Sequence, residues 1–368
     1  MAILDAFTQL GNREDLIDVV TRVAVEETPF LSAIGKKKAT GVLHEWMTET
    51  LDAPAANSQI EGSAAAFGAL TPRVRLGNYC QIARKTGSIS KTQESVSKAG
   101  VASEYAHQLK KATTELARDM ERSLWQGTKG AGASATTGRS SGGVFYWCST
   151  NRQSMSNATG ADLVGTAQAG AASTITVAAG TGASVTVGDH ILITGGAGQG
   201  QYRVVASKAT DVITVSEAWD VVPGATSTYI VYTVPVALSE TILNDGIQAA
   251  RDAGGKPNAI YVSGKQKRAI SGFAQGIRRV SDSGKKLTNS IDVYDSDFGP
   301  LAVKYDRWTP VGTAAIIDEG MFNTAFLRPV MAEELAKVGS SRDFMVEAEF
   351  TLEALGENAN ALVLGAAL

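Results

Sequence analysis

Between Ser90 and Gln126 apolar residues recur in steps of three and four: Val101, Tyr105, Leu109, Ala112, Leu116, Met120 and Leu124. That spacing lays them along one stripe of an α-helix. Ser90 followed by Gln93 fits a capping box, and Gly127 fits a left-handed stop. The pattern therefore predicts one helical strut about 50 Å long, bent or weakened near Gly100. Near the other end of the chain, Phe344, Val346, Ala348, Phe350, Leu352 and Ala354 alternate with Met345, Glu347, Glu349, Thr351 and Glu353. Strict alternation predicts one long strand, apolar on one face and polar on the other.

The remaining segments read around these two. Asn12 caps a short amphipathic helix with Glu14 and Asp15 in its first turn and Leu16, Ile17, Val20 and Val23 on its apolar face; Thr28-Pro29 ends it. One such helix cannot bury its own stripe and must dock on something. After Lys36-Lys37-Lys38 the chain leaves on an excursion. Its arms are strands at Val42–Leu51 and Val74–Ile82, and its tip, Asp52–Leu70, is rich in alanine, glycine and serine. Val74, Leu76, Cys80 and Ile82 fall on one face of the return arm. The outgoing arm and tip carry Glu45, Glu49, Asp52 and Glu61; the return carries Arg73, Arg75 and Arg84. These signs suit pairing across the hairpin or with a neighbouring subunit. An ordinary solvated hairpin would gain about 0–1 kcal/mol from each pair, and a two-stranded ribbon is marginal alone. Its length makes better sense if it lies on another molecule.

Beyond the strut, Thr128–Gly143 is low in complexity and reads as a flexible loop, and Val144–Cys148 as a short buried strand. From Gln153 to Thr233 charge is sparse and β-branched residues alternate. Strands are expected at Ser173–Val177, Val185–Val187, His190–Thr194, Tyr202–Val205, Val212–Val215 and Tyr229–Tyr232. Short turns at regular intervals signal an all-β sandwich or barrel. It reads as inserted and autonomous, because a mixed pattern resumes at once. Ser239 caps a helix to about Ala253, with Gly254-Gly255 as its stop. A strand at Ala259–Val262, a helix bearing Ile270, Phe273 and Ile277, and strands at Ser290–Tyr294, Leu301–Tyr305 and Ala314–Ile317 follow.

Composition narrows the function more than it narrows the fold. The 368 residues are enough for two or three domains. A net charge of −3 gives no basic face for reading nucleic acid, though it permits a container for it. The two cysteines, Cys80 and Cys148, make neither a disulfide framework nor a metal motif. The N-terminus lacks the features of a signal peptide, and no run reaches the ~18 apolar residues of a membrane span.

Candidate chemistry is thin. Gly138-Arg-Ser140-Ser-Gly142 matches a nucleophile elbow on paper, but the mechanism needs a strand-to-helix turn with acid and histidine partners downstream. The only histidine downstream is His190, inside the β segment. The glycines of Gly195–Gly200 lack the spacing of a dinucleotide loop. Gly35-Lys36 is no phosphate loop, and His44-Glu45 has no second histidine four residues on. His44, His107 and His190 lie in three separate segments, which argues against a shared metal site. No cofactor, metal ligand set or catalytic residue is assigned.

The order of arm, excursion, strut, mixed block and returning strand resembles the tailed-phage major capsid proteins of the Hong Kong 97-type fold. In wording it is similar to the SU10 major capsid protein family. The residues that carry this are Glu27-Thr-Pro-Phe-Leu-Ser-Ala-Ile-Gly35, His44-Glu-Trp-Met-Thr48, Ser90-Lys-Thr-Gln93, Leu243-Asn-Asp-Gly246, Asp252-Ala-Gly-Gly255 and Val293-Tyr-Asp-Ser-Asp-Phe-Gly299. The resemblance implies an α+β fold. Residues 1–35 would be an N-terminal arm, 36–86 an extended loop (E-loop) and 87–152 a peripheral domain (P-domain) with a spine helix. Residues 153–234 would be an inserted β domain, 235–320 an axial domain (A-domain) and 321–368 the returning strand and tail.

The implied function is an icosahedral head shell of hexamers and pentamers around packaged double-stranded DNA, found in the virion and assembled in the host cytoplasm. Implied partners are a portal and a separate scaffolding protein, with room for a decoration protein and no membrane. Leu16, Val20, Glu45, Glu49, Glu61, Arg73, Arg75 and Arg84 become candidates for intersubunit contact. Some relatives cross-link an E-loop lysine to a neighbour. Here no lysine occurs from Ala39 through Arg84, so a non-covalent shell is expected. The alternatives are an encapsulin-like nanocompartment shell, which would hold protein cargo, and a soluble α/β hydrolase, which would purify as a small oligomer.

Overall fold

The structure is a computed structural model that describes residues 27–64, 67–96, 101–132, 137–155, 162–273, 292–336 and 339–367. Helix α1 (Pro29–Ala33) leads into β1 (Gly35–Lys38). The chain leaves the body as a hairpin of β2 (Leu43–Thr48) and β3 (Val74–Tyr79) and returns in β4 (Gln81–Ser90). Helices α2 (Lys91–Ser95), α3 (Glu104–Gln126) and α4 (Val144–Trp147) follow. Then come β5 (Arg152–Ser154), β6 (Leu163–Thr166), β7 (Ala169–Ala171), β8 (Thr174–Thr176), β9 (His190–Gly195), β10 (Tyr202–Ala209), β11 (Val212–Val215) and β12 (Thr228–Tyr232). The last third holds α5 (Glu240–Asp252), β13 (Ala259–Val262), α6 (Gly264–Phe273), β14 (Val293–Ser296), β15 (Gly299–Tyr305), β16 (Ala314–Ile317), β17 (Phe322–Glu334), β18 (Ser341–Ala354) and β19 (Ala361–Leu364).

The strut is two helices where one helix bent near Gly100 was expected. Ser90 does cap α2, accepting the Gln93 N–H at 3.2 Å, but Val96 is already extended. A second serine, Ser103, caps α3 by accepting the Ala106 N–H at 3.3 Å. The Glu94 carboxylate splices the two pieces, accepting from Ser103 Oγ at 2.8 Å and the Glu104 N–H at 3.0 Å. Two caps thirteen positions apart make two helices, and α3 alone is about 34 Å long. Gly127 ends it without a left-handed turn, at φ −60°. Its glycine is required by space: a Cβ would sit 2.3 Å from the Ser141 carbonyl oxygen and 2.5 Å from that of Ser123.

α3 lies on a four-stranded sheet of order β1-β17-β18-β4. Its buried Ala112, Leu116, Met120 and Leu124 meet Phe344, Val346, Ala348, Phe350 and Leu352 of β18 in one core. Full burial of such side chains stabilises by about 1.5–3 kcal/mol each. The opposite face of β18 is polar as expected, but it is covered as well: Glu347, Glu349 and Glu353 are only 4–7 % exposed. Val144–Cys148 is a helical turn rather than a strand, because the Gly143 carbonyl accepts from the Tyr146 and Trp147 N–H groups. A five-residue apolar run cannot by itself choose between the two. The described ends of the loop before it are pinned: Gly130 and Ser140 exchange backbone bonds of 2.9 and 3.0 Å, and Ser141 is buried.

A six-stranded mixed sheet of order β14-β15-β13-β16-β19-β5 carries α5 and α6. Ser239 caps α5 through the Ile242 N–H, and Gly254 stops it at φ +87°. Leu243, Ile247 and Ala250 pack on Ile260, Ile316 and Val363 in a second core, while Tyr261, Ile317 and Leu362 face the α3 core. Gln153 and Ser154, given to the insertion by sequence, pair here with Val363 and Leu364. Met155 is buried in this same core. The segment 361–364, expected in a tail, is a central strand between β16 and β5.

The inserted segment is one antiparallel sheet, β6-β12-β9-β10-β11-β8-β7, curled around its own core of Ile175, Ile191, Ile193, Val205, Ile213, Trp219 and Tyr229. Val185–Val187 is not a strand: the Asp189 carboxylate accepts the Thr186 N–H and Oγ–H at 2.6 and 2.9 Å, a local alternative to ladder bonds. Nor does the segment stand clear of the body. Leu192, Tyr202 and Tyr232 belong to the α3 core, and Tyr202 Oη accepts the Gly365 N–H. Buried Arg203 reaches Gln126 of α3 at 2.6 Å. The expected arm helix, with Leu16 and Val20, and Ile277 lie outside the described residues. Pro29, read as ending that helix, opens α1 from its first turn, where its missing N–H costs nothing.

Candidate assembly surface

β2 and β3 pair with each other alone, in register from Leu43 opposite Tyr79 to Thr48 opposite Val74. From Glu49 to Arg73 the described residues form neither helix nor strand. Leu51, Ile60, Phe67 and Leu70 in this tip are 82–97 % exposed, and Met47 and Val74 on the arms are more than half exposed. Apolar area left in water forgoes about 25 cal/mol per Å², and isolated ribbons are marginal. So many large apolar side chains left in water on one segment mark a surface made to be covered.

The charges of the excursion are largely used inside the chain. Arg75 Nε lies 3.0 Å from Glu45 and Arg73 Nε 3.3 Å from Glu49, across the ribbon. Thr71 Oγ1 donates to Asp52 at 3.0 Å. Glu61 is exposed at the tip. Arg84 is not on the ribbon at all: in β4 it binds Glu347 of β18 at 2.6 Å. Of the sequence-selected candidates, then, four form two internal pairs, one anchors the root, one stands at the tip, and Leu16 and Val20 lie outside the described residues.

The root is built from groups that pattern reading passed over. Asn78, fully buried, donates to Leu352 O at 2.8 Å, Gly142 O at 2.9 Å and Ser141 Oγ at 3.1 Å, and accepts the Gly142 N–H at 2.8 Å. One amide thus ties β3, the loop before α4 and β18 together. Ser141, from the elbow-like motif, spends its hydroxyl on this knot and on Thr351.

Below it runs a ladder of carboxylates. Glu347 takes Arg84 and Arg328, at 2.6 and 2.5 Å; Glu349 takes Arg139 and Arg328, at 2.7 and 3.0 Å. Glu353 takes Lys37 at 2.9 Å and the Asn323 amide at 2.9 Å, with His44 at 3.7 Å. Burial alone would raise the Glu347 pKa, but the hydrogen bonds and charges of Arg84 and Arg328 outweigh it and hold it low. Beneath the ladder, burial and then the Glu349 charge push the Cys80 thiol up to about 11. It is an inert filler beside Ala39 and Ala325.

The other root is that of the arm. Phe30 is fully buried, 4.6 Å from the Trp125 ring and 5.5 Å from that of Tyr261. The N-terminus of α1 has no side-chain cap of its own. Instead Glu121 of α3 accepts the Phe30 and Leu31 N–H groups, both at 2.7 Å.

His190 is buried and stacked on Tyr202 at 5.3 Å, and burial lowers its pKa to about 4. It lies in the base of the insertion rather than beside Ser140. Among the described residues no three of His, Cys, Asp and Glu are grouped to hold a metal ion, and no helix is long and apolar enough to cross a membrane.

A family model described as SU10 major capsid protein matches residues 3–367. The chain is similar to the major capsid protein of Escherichia phage Phieco32, at 24 % identity over 98 % of this chain and 96 % of that protein. Among solved structures, the capsid asymmetric unit of Cyanophage A-1(L) aligns with a TM-score of 0.58 at 11 % identity, covering 98 % of both chains. A Gordonia phage Cozz chain aligns at 0.56 and 11 %, covering 98 % of this chain and 93 % of that one.

Proposed function

The chain belongs to the SU10 major capsid protein family, and from that premise we propose how its parts serve a shell. A major capsid protein of a tailed-phage head is a structural protein that assembles with itself, and the fold is the Hong Kong 97-type expected from sequence. In the proposed reading, residues 36–86 are the E-loop, α3 is the spine of the P-domain, the six-stranded sheet is the A-domain, and residues 1–35 are an exchanged arm. The E-loop tip lies on a second copy, which covers Leu51, Ile60, Phe67 and Leu70. The observation that carries this is the exposure of those four side chains on a segment whose described residues join no sheet or helix. Glu61 at the tip and the arm residues Leu16 and Val20 remain the candidate contacts. Glu45, Glu49, Arg73 and Arg75 stiffen the ribbon rather than bridge subunits, and Arg84 fixes its root. The shell encloses double-stranded DNA without reading it, is assembled in the host cytoplasm, and joins a portal and a scaffolding protein, with a decoration protein as a further partner.

Purified particles should be closed shells by negative stain and should carry nuclease-protected DNA when taken from virions. Shells that hold protein cargo and no nucleic acid would favour the nanocompartment reading. Boiled in detergent, the chain should run at its monomer mass, since no lysine lies between Ala39 and Arg84.

A further inference from the structure

The Glu121 carboxyl that caps α1 meets a second buried acid. Asp306, in the loop after β15, is 1 % exposed and hydrogen-bonded to Glu121. It also accepts Trp125 Nε1–H at 2.5 Å and the Trp308 N–H at 2.8 Å. Trp308 in turn donates from Nε1 to the Glu27 carbonyl at the root of the arm. The charged and titratable groups facing the pair are Arg118 of α3, whose guanidinium lies 5.1 Å over the Trp308 ring, Tyr261 of β13, and Lys304 and Glu319, which bind each other at 2.6 Å. Among the described residues neither cation is ion-paired with Glu121 or Asp306, so two buried carboxyls share one site and cannot both ionise cheaply.

We propose that the proton shared by Glu121 and Asp306 is a lock between the spine helix and the 306–309 loop, and that its loss lets the loop, with Trp308 and its hold on Glu27, come away from the helix. While the proton is present, a Glu121 O–H donates to the Asp306 carboxylate. Once it leaves to solvent, two like charges face each other in a dry site. Glu121 keeps α1, because a carboxylate caps a helix N-terminus better than a carboxyl does; repulsion therefore acts on the Asp306 side. Burial and then the Asp306 charge raise Glu121 to about 8. A raised folded-state value means that the lock is complete below about pH 4.5 and is lost as pH rises through about 8.

The test is hydrogen–deuterium exchange of purified full-length protein, read at residues 305–311 and corrected for chemical exchange rate. It is read whether or not shells have formed, so it stands apart from the assembly reading. Protection there should fall roughly tenfold or more between about pH 6 and about pH 9.5, while α5 amides stay level. Glu121→Gln, whose amide donates to Asp306 at every pH, should be protected throughout. A flat wild-type profile, or a Glu121→Gln profile that follows the wild type, overturns the lock. If Glu121→Gln fails to fold, Asp306→Asn replaces it and should also be flat.

Discussion

Two regions stand off the body of this subunit, and they are finished in opposite ways. The insertion, residues 162–233, curls its sheet around its own core and sends Leu192, Tyr202 and Tyr232 into the main one. The excursion, residues 41–79, has no core. Leu51, Ile60, Phe67 and Leu70 point to water, and its root is held by Asn78, Trp46 and the carboxylate ladder. A segment that hides its own apolar surface belongs to the folding of one chain; a segment that displays it is, in the proposed reading, completed by another copy.

The largest expected effect follows from the fused base of the insertion. Joining Arg152 to Pro235 removes three side chains from the main core at about 1.5–3 kcal/mol each, most of an ordinary domain's 5–15 kcal/mol. The product should be insoluble or lack a cooperative transition; a soluble, cooperatively melting deletion would show that the insertion is separable after all. Asn78→Ala should cost roughly 3 kcal/mol, because it orphans buried groups on β18 and on the loop before α4. The urea midpoint should drop with the slope unchanged. Arg75→Ala or Arg73→Ala breaks an exposed pair and should shift stability by no more than about 1 kcal/mol, within reach of the same titration. Phe67→Ser should leave the transition where it is and lower the yield of shells, which separates folding from assembly at one side chain.

Much of this division is legible in the chain. The stripe from Ala112 to Leu124 and the alternation from Phe344 to Ala354 both lie in the core as their periods require. Pairing of Glu45 with Arg75 and Glu49 with Arg73 is the arrangement that opposite signs on two arms suggest. What periodicity could not reveal was tertiary. The odd face of β18 looks solvent-facing because glutamates alternate there, yet arginines from three distant segments cover it. Asn78 carries no pattern, since one buried amide among strand residues is identical on paper to an exposed one. Gln153 and Ser154 were misassigned because composition changes before the sheet does. Ser103 held the missed signal: a capping residue followed by glutamate, inside an apparently continuous stripe.

The central claim is that the excursion's tip is covered by a second copy. The most direct measurement is hydroxyl-radical footprinting of Leu51, Ile60, Phe67 and Leu70 in the unassembled protein and in shells, with the exposed insertion residue Val164 as reference. The expected result is strong protection of all four on assembly while Val164 stays equally reactive. Equal reactivity of the four in both states would contradict the claim.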